Sequence, residues 1–207
     1  MKHLALSISV LLHPLLVPSY LCLICMGVVP EVLHPISSQS FFQLWFFIFL
    51  TSFLLPLTCI SLLRTLGWIQ SWQLHLRQER TLPYLFSFLI YAATAGMLHF
   101  RLKTSPTLAL GMASIAMVIL AVGLVNLFWK ISAHGAALGG ALGFLLALSH
   151  TYHAQVLYPV VGCCLLFGVV AWARLWLREH QPAQVYWGGL LGVAIAWSVL
   201  FLLGNRI

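Results

Sequence analysis

The sequence predicts an all-α protein, a polytopic transmembrane helix bundle of six to seven helices. Of its 207 residues, 62% are hydrophobic and only 6% are charged, whereas soluble domains carry roughly 25% charged residues. The apolar residues form runs long enough to cross a bilayer, since a helix needs about 20 mostly apolar residues to span the hydrocarbon core. Such a chain accommodates six or seven crossings and little else, so we expect residues 1–207 to form a single membrane domain.

Seven apolar segments, separated by short polar connections, are the predicted crossings. They span residues 4–28, 41–63, 84–100, 107–129, 135–150, 156–173 and 185–204. No small-x-small cleavage site follows the first segment, and it is too long for the core of a signal peptide. We therefore expect a retained helix that is kinked at Pro14 or Pro18.

The longest connection, residues 64–83, has a pattern of its own. Trp68, Trp72 and Leu76 recur in it at intervals of four residues. This spacing is typical of a helix that lies along the membrane surface with its aromatic face among the lipid headgroups. We expect such an interfacial helix between the second and third crossings.

Small residues dominate the fifth crossing and open the seventh. Gly135, Gly139 and Gly143 are spaced by four residues in the fifth, and Gly188 and Gly192 have the same spacing in the seventh. Gly-x-x-x-Gly spacing allows transmembrane helices to approach each other closely. Both segments are therefore predicted to make close helix contacts.

Three polar clusters hold most of the groups that could bind an anion. They are residues 73–80, 130–134 and 174–184. Two crossings separate each cluster from the next, so all three are predicted to lie on the same membrane face. Together they supply cations, a hydroxyl, the imidazoles of His134 and His180, and two helix N-termini, which suit an oxyanion such as phosphate.

Phosphoryl transfer depends mainly on positioning the phosphoryl oxygens and neutralising their charge. Arg80, Lys130 and Arg174 are candidate cations for this task, and Ser132 with His134 opens a helix whose free N–H groups favour phosphate. Of two histidines, one could attack phosphorus while the other protonates the leaving oxygen and then activates water.

The scarcity of acids excludes several classes of function. The chain has no Asp, and its three acids are Glu31, Glu79 and Glu179, so an aspartyl nucleophile or a carboxylate-held Mg²⁺ site has few residues to use. The net charge of +7 reflects this scarcity and not a dense basic face, which argues against nucleic acid as a partner. An anionic substrate or anionic membrane lipids are the expected partners of the excess charge.

The third cluster resembles a motif of the type 2 phosphatidic acid phosphatase superfamily, Ser-Arg-x5-His-x3-Asp followed by a glycine-rich helix. Here Arg174 is followed after five residues by His180 and after three more by Gln184. The form with Gln is similar to the dolichyl diphosphate phosphatase branch, which carries Gln at this place. The resemblance therefore favours polyprenyl diphosphates among the lipid phosphates.

The other two clusters are similar to the remaining motifs of that superfamily. Ser132-Ala-His134 resembles the second motif, Pro-Ser-Gly-His, and Arg80 with Gln73 seven residues before it resembles the first, Lys-x6-Arg-Pro. The phosphatase-like core covers about residues 70–195. The departures from the motifs are Ala173 for Ser, Ile131 for Pro, Ala133 for Gly, Gln73 for Lys, Thr81 for Pro and Gln184 for Asp.

The resemblance implies a set of catalytic and phosphate-binding residues. His180 would be the nucleophile and His134 the general acid. Gln184 would orient His180, and the phosphate ligands would be Ser132, Arg80 and Arg174. The carbonyl of Gln184 can still accept an imidazole N–H but brings no negative charge to stabilise an imidazolium. Lys130 is our own candidate for the charge lost at position 73. The superfamily requires no metal, so no cofactor is expected.

Other interpretations of these residues stay open. Lys130 could anchor a helix end among headgroups, and Arg80 could be an ordinary positive-inside charge. The histidines outside the motifs are expected to be interfacial or bonded to backbone: His13, His34, His75, His99, His150 and His153. The substitutions also fit a degenerate protein that binds lipid phosphates or scaffolds a complex without turnover. A small transporter is a weaker alternative because the cations cluster at one surface.

We expect an integral multi-pass protein of the cell (inner) membrane. The motif side carries most of the Lys and Arg, which by the positive-inside rule places the motifs inside. Three of those residues are proposed ligands, however, and without them the bias nearly vanishes. Resemblance to phosphatases that act on the outer or lumenal face favours the opposite orientation, so both stay open. The sequence does not indicate an oligomeric state.

Overall fold

The computed structural model describes residues 1–37, 39–72, 74 and 76–204, and this part of the chain is helical with no strand. Seven helical segments are long and apolar enough to span a membrane. They are Lys2–Val28, Phe41–Thr65, Gln78–Arg101, Pro106–Asn126, Ala133–Tyr152, Leu157–Trp176 and Pro182–Leu203. The predicted all-α, multi-pass membrane bundle is confirmed, with seven crossings.

The first crossing is broken and not merely kinked. It consists of α1 (Lys2–Leu11) and α2 (Val17–Val28), joined by a single 3₁₀ turn. The break begins at His13, whose backbone is extended (φ −63°, ψ 137°), because a residue before proline disfavours the helical conformation. Pro14 therefore causes the break, whereas Pro18 lies in the first turn of α2, where proline is tolerated.

The second crossing contains α3 (Phe41–Phe49) and α4 (Leu55–Thr65), with a π-helical turn between them. Pro56 has no N–H to donate to the carbonyl of Ser52 one helical turn earlier. The hydroxyl of Tyr91 donates to that carbonyl instead, at 2.9 Å. This bond fixes Tyr91 of the third crossing against the irregular turn of the second.

The predicted interfacial helix in the connection after α4 is wrong for the residues that the structure describes there. The chain turns at Gly67, whose φ of +76° ends α4 in a left-handed cap. The N–H of Trp68 donates to the carbonyl of Leu63 at 3.0 Å, which completes this cap. Trp68 and Trp72 are nevertheless 61% and 51% exposed, as their predicted contact with lipid headgroups requires. Gln73 lies outside the described residues, and so does His75.

Five further helices complete the bundle. They are α5 (Thr81–Gly96), α6 (Pro106–Asn126), α7 (Ala133–Tyr152), α8 (Leu157–Trp176) and α9 (Pro182–Gly204). A short 3₁₀ turn ending at Arg80 precedes α5, and a π-helical turn follows it. All five begin within three residues of the predicted positions.

Helices α7 and α9 touch backbone to backbone. A Cβ atom on Gly139 would lie 2.0 Å from the carbonyl oxygen of Gly189, and one on Gly192 would lie 2.1 Å from the carbonyl oxygen of Ala136. Only glycine fits at such positions, so the close contacts predicted for these two segments are confirmed. The contact also brings the first turns of the two helices together.

Candidate functional site

A cavity of about 230 Å³ lies among the helix ends on the side where α7 and α9 begin. Its polar lining comes from the break in the first crossing, the turn before α5 and α5 itself, the start of α7, the end of α8 and the loop before α9. Its apolar lining comes from residues further along α4, α5 and α6, so the cavity reaches into the bundle. These apolar residues include Leu57, Ile60, Ile115, Ile119 and Val122.

The structure brings four of the predicted site residues to this cavity: Arg80, His134, Arg174 and His180. A second, more open depression lies next to it, on the surface of the protein. Its lining includes Lys130, Arg178, Glu179, His180, Gln181 and Gln184. His180 lines both, so its imidazole lies at the boundary between the depression and the buried cavity.

Gln184 orients His180 through a hydrogen bond. The Nδ1 atom of His180 lies 3.1 Å from Oε1 of Gln184, and the same oxygen accepts the backbone N–H of Gln181 at 3.1 Å. A backbone N–H can only donate, so the shared atom is an acceptor and Nδ1 must carry the proton. In the neutral ring Nε2 is then unprotonated and has a free lone pair.

The surroundings of His180 favour its neutral form. Burial lowers the pKa of His180 from 6.5 to about 3; the bond to Gln184 opposes this shift, and the cations Arg174, Arg80 and Lys130 add to it. At neutral pH the ring is therefore uncharged. A neutral imidazole with a free Nε2 is the form that can act as a nucleophile.

Two arginines hold positive charge at the cavity. Arg80 is only 6% exposed, and its Nε donates to the carbonyl of Leu74 at 2.8 Å, which holds the guanidinium in place. Nη2 of Arg174 lies 3.8 Å from Oε2 of Glu179, whereas its Nε is buried without a hydrogen-bond partner. Burial of an N–H donor without a hydrogen-bond partner costs free energy. An anion bound beside Arg174 could accept this hydrogen bond and remove that cost.

Lys130 lines the surface depression, outside the buried cavity. Burial lowers the pKa of its ammonium group, with Arg80 and Arg174 adding to the shift and Glu179 opposing it. The neighbouring cations repel Lys130, as expected of a group in a site that is built to hold negative charge. Its position fits a contact with the outer part of a ligand whose phosphate reaches His180.

Ser132 lies behind the site and not on its surface. It is fully buried, and its Oγ accepts the N–H of Gly135 at 3.3 Å as the N-cap of α7. Its own N–H donates to the backbone carbonyl of Gln184 at 3.1 Å. Ser132 thus connects the starts of α7 and α9. It is not among the described residues that line the cavity or the depression.

His134 is accompanied by a histidine that the sequence motifs do not include. Nε2 of His134 donates to the carbonyl of Ser9 at 3.0 Å, and the ring centroid of His13 lies 5.7 Å from its own. His13 does bond to backbone, as expected, but its ring also lines the cavity. A histidine followed by proline within an apolar run was the available signal, because irregular backbone inside a membrane usually faces a cavity.

Comparisons with known proteins gave no match to any family model, curated protein or solved structure. Among the described residues, no group of three or more His, Cys, Asp or Glu side chains could hold a metal ion.

Proposed function

We propose that this protein is a membrane-embedded, metal-independent phosphatase that hydrolyses lipid phosphates or diphosphates through a phosphohistidine intermediate. One observation carries the proposal. His180, neutral and oriented by Gln184, shares a cavity with a second imidazole, His134, and with two buried guanidinium groups, Arg80 and Arg174. The resemblance of the three polar clusters to the type 2 phosphatidic acid phosphatase motifs supports the same reaction.

In the first step, the lone pair on Nε2 of His180 attacks phosphorus. The bond between phosphorus and the leaving oxygen breaks, and protonated His134 gives that oxygen a proton. The carbonyl of Ser9 accepts Nε2–H of His134, so Nδ1 is the nitrogen that gains and loses this proton. The guanidinium groups of Arg80 and Arg174 neutralise the charge that develops on the phosphoryl oxygens.

In the second step, neutral His134 takes a proton from water, and the water oxygen attacks the phosphorus of the phosphohistidine. The bond from phosphorus to Nε2 of His180 breaks, which releases phosphate and restores the neutral imidazole. A well-placed acid or base contributes roughly 10²- to 10⁴-fold in rate, so the two arginines would have to supply much of the remainder.

The shape of the site favours an amphiphilic substrate. The apolar part of the cavity is suited to the start of a hydrocarbon tail, and the boundary with the depression, near His180 and Lys130, is suited to the terminal phosphate, which in a diphosphate is the group that His180 would attack. Polyprenyl diphosphates are our first choice, and phosphatidate-type lipids and lipid A phosphates follow. We place the protein in the cell (inner) membrane, where such lipids diffuse.

The test is phosphate release by the purified protein in vesicles that contain a chelator. Polyprenyl diphosphate, phosphatidate and lipid A are offered in parallel, and release is expected to be fastest with the polyprenyl diphosphate. Absence of release from all three lipids would contradict the proposal.

A second candidate function is binding of lipid phosphates without turnover. It is favoured by Gln184, which lacks the charge of the motif Asp, and by the burial of Ser132 behind the site. Such a protein would bind the lipids of the same panel and release no phosphate from them.

The hydrogen bond between Gln184 and His180 predicts how the pH dependence of kcat/KM responds to a substitution at position 184. Because its pKa is about 3, protonation of His180 should reduce the rate only as the pH approaches that value. The substitution Gln184→Glu places a carboxylate beside Nδ1, which stabilises the imidazolium and raises its pKa. We expect the acidic limb of kcat/KM to move up by about 1–3 pH units.

The matched control is Gln181→Glu, which adds the same charge three residues earlier, just before α9, while leaving the acceptor at position 184 intact. Its acidic limb should move much less. Equal shifts in the two variants would show that the hydrogen bond at Nδ1 does not set the pKa of His180.

A further inference from the structure

His13 is a third imidazole at the cavity, and neither step of the proposed reaction uses it. It lies at the break between α1 and α2 and lines the same cavity as Arg80 and Arg174. Its ring meets that of His134 edge to face, with centroids 5.7 Å apart and planes at 78°. The broken helix therefore brings a polar side chain deep into the first crossing and next to the site.

The hydrogen bond of His13 to backbone fixes its tautomer. Its Nδ1 lies 3.3 Å from the backbone nitrogen of Leu15 and accepts that N–H. Because Nδ1 is the acceptor, the proton of the neutral ring is on Nε2. His13 thus satisfies the broken helix with one nitrogen and keeps an N–H donor on the other.

The lining of the cavity indicates what kind of group this donor would meet. Among the described side chains that line it are both arginines and three imidazoles, and none of them is a carboxylate. The Nε of Arg174 is also a buried donor without a partner. A cavity with several donors and no anionic side chain is suited to a ligand that brings its own negative oxygens.

We propose that His13 is a phosphate ligand, and that its Nε2–H donates to a non-bridging phosphoryl oxygen held between Arg80 and Arg174. The inference rests on the proposed function only for the identity of the ligand as a phosphate group. It gives the break in the first crossing a role, because the N–H of Leu15 at the break binds Nδ1 of His13 and so leaves the proton of the neutral ring on Nε2.

Two substitutions separate this role from capping of the helix. In His13→Asn the side-chain oxygen can still accept the N–H of Leu15, as Asn does at helix N-termini, but no donor remains at the position of Nε2. In His13→Gln the amide nitrogen can reach that position. The control is His99→Asn, an exposed histidine in the turn after α5, at the opposite end of the bundle.

The affinity for inorganic phosphate is measured by calorimetry on the full-length protein in nanodiscs, together with its melting temperature. A hydrogen bond to a charged group is worth about 1.5–3 kcal/mol, so His13→Asn should weaken binding about 10- to 100-fold. We expect His13→Gln to lie within a few-fold of the unmodified protein, His99→Asn to match it, and all melting temperatures to be similar.

The outcomes distinguish this inference from the proposed function. Phosphate binding that depends on His13, without hydrolysis of any lipid, supports the inference and contradicts the phosphatase proposal. Hydrolysis with unchanged phosphate affinity in His13→Asn overturns the inference alone. Affinity and melting temperature that fall in His13→Ala and are both restored in His13→Asn would make His13 only a cap, and a protein that does not bind phosphate would overturn the inference too.

Discussion

Replacement of His180 by alanine is expected to reduce phosphate release from polyprenyl diphosphate by on the order of 10³-fold or more, as for other nucleophiles. The reason is that in the proposed reaction Nε2 of His180 forms the bond to phosphorus. Burial and the neighbouring cations keep the ring neutral, and the hydrogen bond to Gln184 holds its proton on Nδ1, which leaves Nε2 free. Release is measured on the protein in vesicles, and the phosphohistidine is trapped from a substrate labelled with radioactive phosphorus.

The matched control is His99→Ala, which removes an exposed imidazole in the turn after α5 and should leave both the rate and the trapped label unchanged. Equal phosphate release from His180→Ala and the unmodified protein would remove the enzyme hypothesis. Loss of release with the label still trapped would place the covalent bond on another residue.

The second large effect concerns stability. Gly139→Ala adds a Cβ atom where the carbonyl oxygen of Gly189 would lie only 2.0 Å away, and a contact this short forces α7 and α9 apart. Overpacking of this kind costs about 1–3 kcal/mol and occasionally more, so the melting temperature in detergent should fall clearly. Activity should fall as well, because the same contact holds the starts of the two helices together.

Gly168→Ala is the control for this prediction, because a Cβ atom on Gly168 of α8 would have no neighbour within 4 Å. It should leave stability unchanged or raise it slightly, since alanine is the better helix former. Similar melting temperatures for Gly139→Ala and Gly168→Ala would mean that the backbone contact of α7 with α9 does not stabilise the fold.

The seven crossings could be predicted because hydrophobicity and length decide them, and no other element competes for a run of 20 apolar residues. The break at His13 could not be placed, because two prolines in the same run gave equal reasons for a kink. The interfacial helix was predicted from aromatic spacing alone. At Gly67 the local backbone ends α4 in a left-handed cap, which is a stronger constraint than the periodicity of exposed side chains.

Part of the candidate site also follows from the sequence. Counting crossings placed three clusters on one face, and the structure brings Arg80, Arg174 and both motif histidines to one cavity. Which side chains line the cavity, and which lie buried behind it, could not be predicted from the sequence. Ser132 faces its own helix because an N-cap needs its hydroxyl there, and His13 enters the cavity only through contacts between distant parts of the chain.

The position of His180 between the open depression and the buried cavity bears on what happens after hydrolysis. In the proposed reaction, the inorganic product forms next to the depression and can diffuse directly into water. The dephosphorylated lipid still has its tail among the apolar side chains and would return sideways to the bilayer. Each product would therefore leave by its own route, the lipid first and the phosphate after hydrolysis of the phosphohistidine.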